Sequence, residues 1–209
     1  MSRRWKIERS RDHYRKMAES LGLRSRAAFK LIEMIERFDV IKEGQVVLDI
    51  GAYPGGWLQV ASRATGPNGL VIGVDIKPIK ELGRPNVKTI TGDVCDESLH
   101  EELEKMTSGK VDVILSDASP KLTGAWATDM ARHEHIVQCV IKLADKLLKK
   151  GGVAVIKAFQ GSGLDDMLSA LRQRFERVRL FKPKASRPTS REIYLICMGF
   201  LGDEEGRRI

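Results

Sequence analysis

Cysteine is scarce in this chain: Cys95, Cys139 and Cys197 are the three present among 209 residues, far apart and odd in number. None falls in a Cys-x-x-Cys spacing, so neither a zinc knot nor a dithiol redox motif is expected, and all three read as reduced structural thiols. Long apolar runs are missing too. None approaches the ~20 residues that a membrane span needs. The segment Met1-Ser2-Arg3-Arg4-Trp5-Lys6 leads into further charge, not into the apolar stretch of a secretory signal. A cytoplasmic protein is the expectation. Internal repeats, low-complexity stretches and a linker long enough to divide the chain are also absent, which excludes a solenoid or a string of modules.

What is present is one globular domain's worth of residues, 42% hydrophobic and 31% charged. The formal net charge is +8, and its placement is uneven. Residues 1–30 hold ten Lys/Arg against Glu8, Asp12 and Glu19, a net of +7. A second basic stretch, Arg172 to Arg191, has eight Lys/Arg opposed by Glu176 alone. Two basic segments on an otherwise balanced chain point to a polyanionic partner.

Short apolar runs of strand type occur at Val46–Ile50, Leu70–Asp75, Val87–Ile90, Val111–Ser116, Gly152–Lys157, Val178–Phe181 and Glu192–Phe200. Several lack clean alternation, as expected of strands covered on both faces. Helical stretches lie at 24–38, with Ser25 as a plausible cap, and at 56–64, 97–106, 130–149 and 163–175. Strand–helix alternation predicts a doubly wound α/β fold. The expected organisation is a flexible basic arm over 1–18, one domain over 19–201 and a polar tail over 202–209.

The most informative segment is Val46-Val47-Leu48-Asp49-Ile50-Gly51-Ala52-Tyr53-Pro54-Gly55-Gly56-Trp57. A buried strand ends near an acid, turns through glycines and enters a helix, the place where open α/β sheets bind ligands. The spacing is not G-x-G-x-x-G, and Pro54 inside the loop weakens a pyrophosphate-cradling reading. The next strand ends in Asp75, 26 residues after Asp49, and Thr91-Gly92-Asp93 sets a further acid after the third. Asp75 suits the ribose hydroxyls of an adenosine, and Asp93 its amino group.

Asp49-x-Gly51-x-x-Pro54-Gly55-Gly56-Trp57 resembles the S-adenosylmethionine motif of the FtsJ-type (RrmJ, RlmE) ribosomal RNA 2′-O-methyltransferases. The likeness runs from Ser25 to Gly199 and takes in Ser25-Arg26-Ala27-Ala28-Phe29-Lys30-Leu31, Ser116-Asp117-Ala118-Ser119-Pro120, Val155-Ile156-Lys157-x-Phe159-Gln160-Gly161 and Ser190-Arg191-Glu192-x-Tyr194. Tyr53 stands where the family often has Ala. The resemblance implies a Rossmann-like methyltransferase fold: a seven-stranded, mostly parallel sheet with an antiparallel last strand and helices on both faces. It implies S-adenosylmethionine as cofactor, held by Gly51, Gly55, Gly56, Trp57, Asp75, Asp93 and Asp117. It makes Lys30, Asp117, Lys157 and Glu192 the catalytic tetrad. Lys157 is then either the general base for a ribose 2′-hydroxyl or the group that orients it and stabilises the oxyanion.

On this reading the substrate is a uridine in large-subunit (23S) ribosomal RNA, free or within an assembled large subunit, and the enzyme acts as a monomer without an obligate protein partner or membrane. Phosphates would meet Arg3, Arg4, Arg24 and Arg26, and on the other side Lys182, Lys184, Arg187 and Arg191. Trp5 and Tyr14 either stack on bases or anchor the arm. Alternatives are a transfer RNA 2′-O-methyltransferase and, from another class, a non-catalytic RNA-binding protein, which would require a broken tetrad. A nicotinamide-dependent dehydrogenase would leave Lys30, Lys157 and Glu192 without a role. His133 and His135, with Asp129 and Glu134, read as surface polar residues, and no metal site is expected.

Overall fold

The computed structural model describes residues 13–202, apart from positions 162 and 188. Its elements run α1 (13–20), α2 (Ala28–Phe38), β1 (Val46–Ile50), α3 (Gly56–Thr65), β2 (Leu70–Asp75), β3 (Val87–Thr91), α4 (Glu97–Met106), β4 (Val111–Ser116), α5 (Trp126–Leu147), β5 (Leu148–Phe159), α6 (Leu164–Arg172), β6 (Phe175–Phe181) and β7 (Glu192–Phe200). Seven strands form one sheet in the order β3-β2-β1-β4-β5-β7-β6. Six run in one direction, and β7 alone is reversed, antiparallel to β5 and to β6. This is the expected doubly wound, Rossmann-like architecture with its antiparallel last strand.

The apolar strand residues alternate between two cores. In β1, Val47 packs into the cluster beneath α2 and α3, while Leu48 and Ile50 enter the one beneath α4, α5 and α6. The strands therefore look uninterruptedly apolar although each obeys a period of two. The amphipathic helix α2 buries Ala28, Leu31 and Met34, with large side chains worth roughly 1.5–3 kcal/mol each. Its C-cap is Asp39 in the left-handed region, whose N–H donates to Ile35 O.

Several expectations need correction. Residues 13–18 are not part of a flexible arm but belong to α1: Ala18 is buried, and Tyr14 packs on Phe29 with ring centroids 5.5 Å apart. Tyr14 is thus an anchor. Trp5, Arg3 and Arg4 lie outside the described residues. Helix α2 starts at Ala28, not 24, and Ser25 makes no side-chain cap; its hydroxyl instead sits against the Gly56 backbone, where no Cβ would fit. Nor are all three cysteines free thiols. Cys95, in the β3–α4 loop, and Cys139, on α5, form a disulfide, while Cys197 remains a buried thiol. A separation of 44 residues hides such a pair from any spacing rule.

Candidate active site

The carboxyl edge of the parallel strands carries the site, and strand parity decides who reaches it. Val113 and Leu115 of β4 face the α2–α3 core, as do Val155 of β5 and Tyr194 and Ile196 of β7. Continuing each period of two puts Asp117, Lys157 and Glu192 on that same face. Because β7 is antiparallel to β5, its first residue, not its last, arrives at the edge: Glu192 is the register partner of Phe159, and Tyr194 of Lys157. Helix α2 covers this face and sends Lys30 into it.

The four sequence-predicted catalytic residues meet. Lys157 Nζ donates to the Asp117 carbonyl at 2.5 Å and stands 3.2 Å from Asp117 Oδ1. Lys30 Nζ donates to Glu192 Oε2 at 3.4 Å. Both lysines are buried, 5% and 7% exposed for Lys157 and Lys30, so each ammonium needs its carboxylate to offset desolvation. The two pairs are bridged by a residue to which the sequence motif assigned no role. The Tyr194 hydroxyl accepts from Lys30 Nζ at 3.0 Å and donates to Asp117 Oδ1 at 2.7 Å.

Burial alone would push the Asp117 carboxyl up. Lys157, then Lys30, and the Tyr194 and Lys157 hydrogen bonds outweigh it, holding the carboxyl below its ordinary range. The Tyr194 phenol is driven far above its ordinary value by burial, then by Asp117, so it stays protonated and remains a donor. The site is thus an ordered array of two cations, two anions and one phenol.

Beside it lie the strand-end acids. Asp49 is fully buried, and neither carboxyl oxygen has a hydrogen-bond partner among the described residues. Burial, then Asp117 and Asp75, raise its pKa well above the usual carboxylate value. Asp75 accepts from Tyr53 N and Lys77 N, both at 2.9 Å; Asp93 accepts from Cys95 N at 2.9 Å. Gly51 has a φ of 77°, and a Cβ there would lie 2.5 Å from Ala118 Cα, so only glycine lets the β1 and β4 loops approach. Gly55 N donates to Ala52 O at 2.6 Å, closing the turn ahead of α3. Trp57 is buried beneath this loop: Nε1 donates to Ala27 O at 2.8 Å, and the ring packs on Tyr194 with centroids 5.8 Å apart. There it braces α2 and the tyrosine.

The expected phosphate ligands differ in their surroundings. The Arg24 guanidinium donates to Pro54 O at 3.2 Å, to Glu81 O at 2.6 Å and to Lys80 O, while Arg24 N donates to Gln59 Oε1 at 2.7 Å. Its donors serve the loops after β1 and β2, so Arg24 is a staple of the glycine loop. Arg26 is half-buried. Lys182, Lys184, Arg187 and Arg191 are exposed; Lys182 Nζ donates to Ser190 O at 2.6 Å, and Arg191 lies 4.7 Å over the Trp126 ring.

His133 and Asp129 are not surface residues. Asp129 is 2% exposed and accepts from Thr123 N, Thr123 Oγ1 and Gly124 N, fixing the loop that follows Asp117. His133 is 1% exposed, with Nε2 donating to Lys157 O at 3.1 Å. Burial, then Lys157, lower its pKa to about 4. The spacing does hold this signal: Met130, His133 and Val137 share one buried stripe of α5. His135, by contrast, is exposed, with Nε2 3.9 Å from Cys139 Sγ.

Comparison with known proteins fits this site. The FtsJ-like methyltransferase family model matches residues 23–200. A Methanocaldococcus jannaschii protein named ribosomal RNA large subunit methyltransferase E is 43% identical over 203 residues, covering 96% of this chain and 83% of its own length. One of the same name from Stutzerimonas stutzeri is 41% identical, covering 96% and 97%. Among solved structures, a ribosomal RNA methyltransferase from Plasmodium falciparum aligns with a TM-score of 0.77 at 32% identity, over 86% of this chain and 100% of that one. Aeropyrum pernix fibrillarin, solved with natively bound S-adenosyl-L-methionine, shares the fold with a TM-score of 0.58 at 17% identity, over 84% and 75%. The family model spans nearly the whole described chain, and relatives at this identity cover almost all of it: the chain belongs to the FtsJ-like methyltransferase family.

Proposed function

We propose that this protein is an S-adenosylmethionine-dependent RNA methyltransferase that modifies the 2′-hydroxyl of a uridine in large-subunit ribosomal RNA, in the cytoplasm. The observation that carries the reading is the continuous network Lys157–Asp117–Tyr194–Lys30–Glu192 at the carboxyl edge.

The donor set fits the cofactor. Its sulfonium and amino group are cationic, and Asp49 offers a buried carboxyl without a partner among the described residues. Asp75 and Asp93 would take the ribose and the adenine amino group, with Gly51, Gly55, Gly56 and the Asp117 backbone lining the rest. When bound, S-adenosylmethionine supplies an electrophilic methyl group.

The chain's own residues supply the remainder. Lys157, held by both the carbonyl and the carboxylate of Asp117, presents Nζ to an incoming hydroxyl. It either accepts that proton or donates to the oxygen as negative charge develops. Asp117 and Tyr194 keep that ammonium in one orientation, and Lys30 with Glu192 completes a neutral array that needs little reorganisation. The 2′-hydroxyl requirement itself selects RNA over DNA.

Incubating the protein with total RNA and methyl-tritiated S-adenosylmethionine, then mapping the labelled nucleotide, tests the proposal. Label on a 2′-O-methyluridine of the large-subunit RNA is the expected result. Label confined to transfer RNA would replace the substrate, and no transfer to any RNA would overturn the activity.

A further inference from the structure

One aromatic group near the site is unused by the mechanism. Trp126, the first residue of α5, is 41% exposed although it stands beside the catalytic edge. Three observations set it apart from an ordinary surface aromatic. The Arg191 guanidinium lies 4.7 Å over its ring. The Phe159 ring meets it edge-on, with centroids 6.3 Å apart and planes at 78°. The Asp129 carboxylate anchors the turn Thr123–Gly124 just before it.

Each brace leads back to the tetrad. Phe159 lies two residues beyond Lys157 and pairs in register with Glu192. Arg191 immediately precedes Glu192, and its carbonyl accepts from Gln160 N at 2.8 Å. An indole with a guanidinium over its ring, fixed at the rim of a site that must receive a ribose, has the chemistry that RNA-binding surfaces use for unpaired bases. Every base has a π-face, and the arginine adds a cation beside a ligand that carries phosphate.

We propose that the exposed surface of Trp126, braced by Arg191 and Phe159, is a stacking site for an unpaired nucleobase of the RNA, next to the ribose presented to Lys157. The proposal rests on the RNA-methylation reading and names how that substrate is held.

Binding of a dye-labelled, unstructured oligouridylate of ~10 nucleotides tests it by polarisation, beside an equally long abasic ribose-phosphate strand that keeps the charge and lacks the bases. The wild-type protein should prefer the base-bearing strand by about tenfold, the range of single-base stacking. Trp126→Ala should lose that preference, Trp126→Phe should keep most of it, and both should bind S-adenosylmethionine as the wild type does. Equal wild-type affinity for the two strands overturns the proposal, whether or not Trp126→Ala folds. So does a Trp126→Ala protein that still discriminates, or one that loses cofactor affinity and thermal stability together with RNA. If the preference behaves as described but no methyl group reaches RNA, the stacking site stands and the proposed reaction fails.

Discussion

Tyr194 turns two separate ion pairs into one device. Its hydroxyl is the point at which the Lys30–Glu192 pair meets the Lys157–Asp117 pair. Tyr194→Phe keeps the buried ring but strands a donor on Lys30 and an acceptor on Asp117, each costing ~1–3 kcal/mol. Methyl transfer should slow by about tenfold or more at saturating substrates, with cofactor affinity unchanged by calorimetry. Lys157→Ala should go further, abolishing transfer while S-adenosylmethionine still binds; normal turnover by that variant would remove Lys157 from the mechanism. His133 is neutral in the fold down to about pH 4, whereas an unfolded histidine takes its proton near its ordinary value of 6.5. Between those values the unfolded chain binds more protons, so stability is present above about pH 6.5 and falls as pH drops toward 4, by up to about 3 kcal/mol. Melting temperatures across that window should fall for the wild type and less steeply for His133→Asn.

At the scale of elements, the glycine loop after β1 depends on a side chain from outside it. Arg24 joins the segment before α2 to carbonyls of the β1–α3 and β2–β3 loops. Arg24→Ala should therefore weaken S-adenosylmethionine binding by about tenfold in a titration, since three carbonyls lose their donor. A selective loss of RNA affinity would instead restore the phosphate role. How far the elements can be read from the sequence differs by kind. Each of the seven strands overlaps an apolar run that predicts it, although β5 starts at Leu148, not Gly152, and β6 at Phe175, not Val178; the period of two alone aligns Asp117 with Leu115 and Glu192 with Tyr194. The helix starts shift: α5 begins at Trp126, not 130, and α2 at Ala28. One end is set locally, Asp129 holding the turn Thr123–Gly124, and the other by a tertiary contact, Ser25 packing on Gly56 instead of capping. The use of Arg24, the burial of His133 and the Cys95–Cys139 link depend on packing between distant segments, which composition and spacing reveal weakly or not at all.

For the whole molecule, charge and truncation are coupled. Since α1 contributes Ala18 to the core and Tyr14 to Phe29, a cut after residue 18 would damage the fold as well as remove positive charge. Removing residues 1–12 takes away Arg3, Arg4, Lys6, Arg9 and Arg11 while keeping the described residues of α1, 13–20. That truncation should lower RNA affinity and flatten its dependence on salt, by roughly one counterion for each phosphate that is no longer neutralised. Unaltered binding at moderate salt would exclude the segment from recognition.

The reversed direction of β7 has a practical outcome. Starting at the proposed catalytic rim with Glu192, the strand runs down the sheet until Phe200 pairs with Phe175, and Leu201 N reaches Arg174 O. Leu201 therefore stands at the margin opposite the proposed chemistry. A dye coupled at Leu201 would thus stand clear of the incoming nucleic acid, whereas the same dye on the exposed face of α1 would sit beside the helix that carries Lys30.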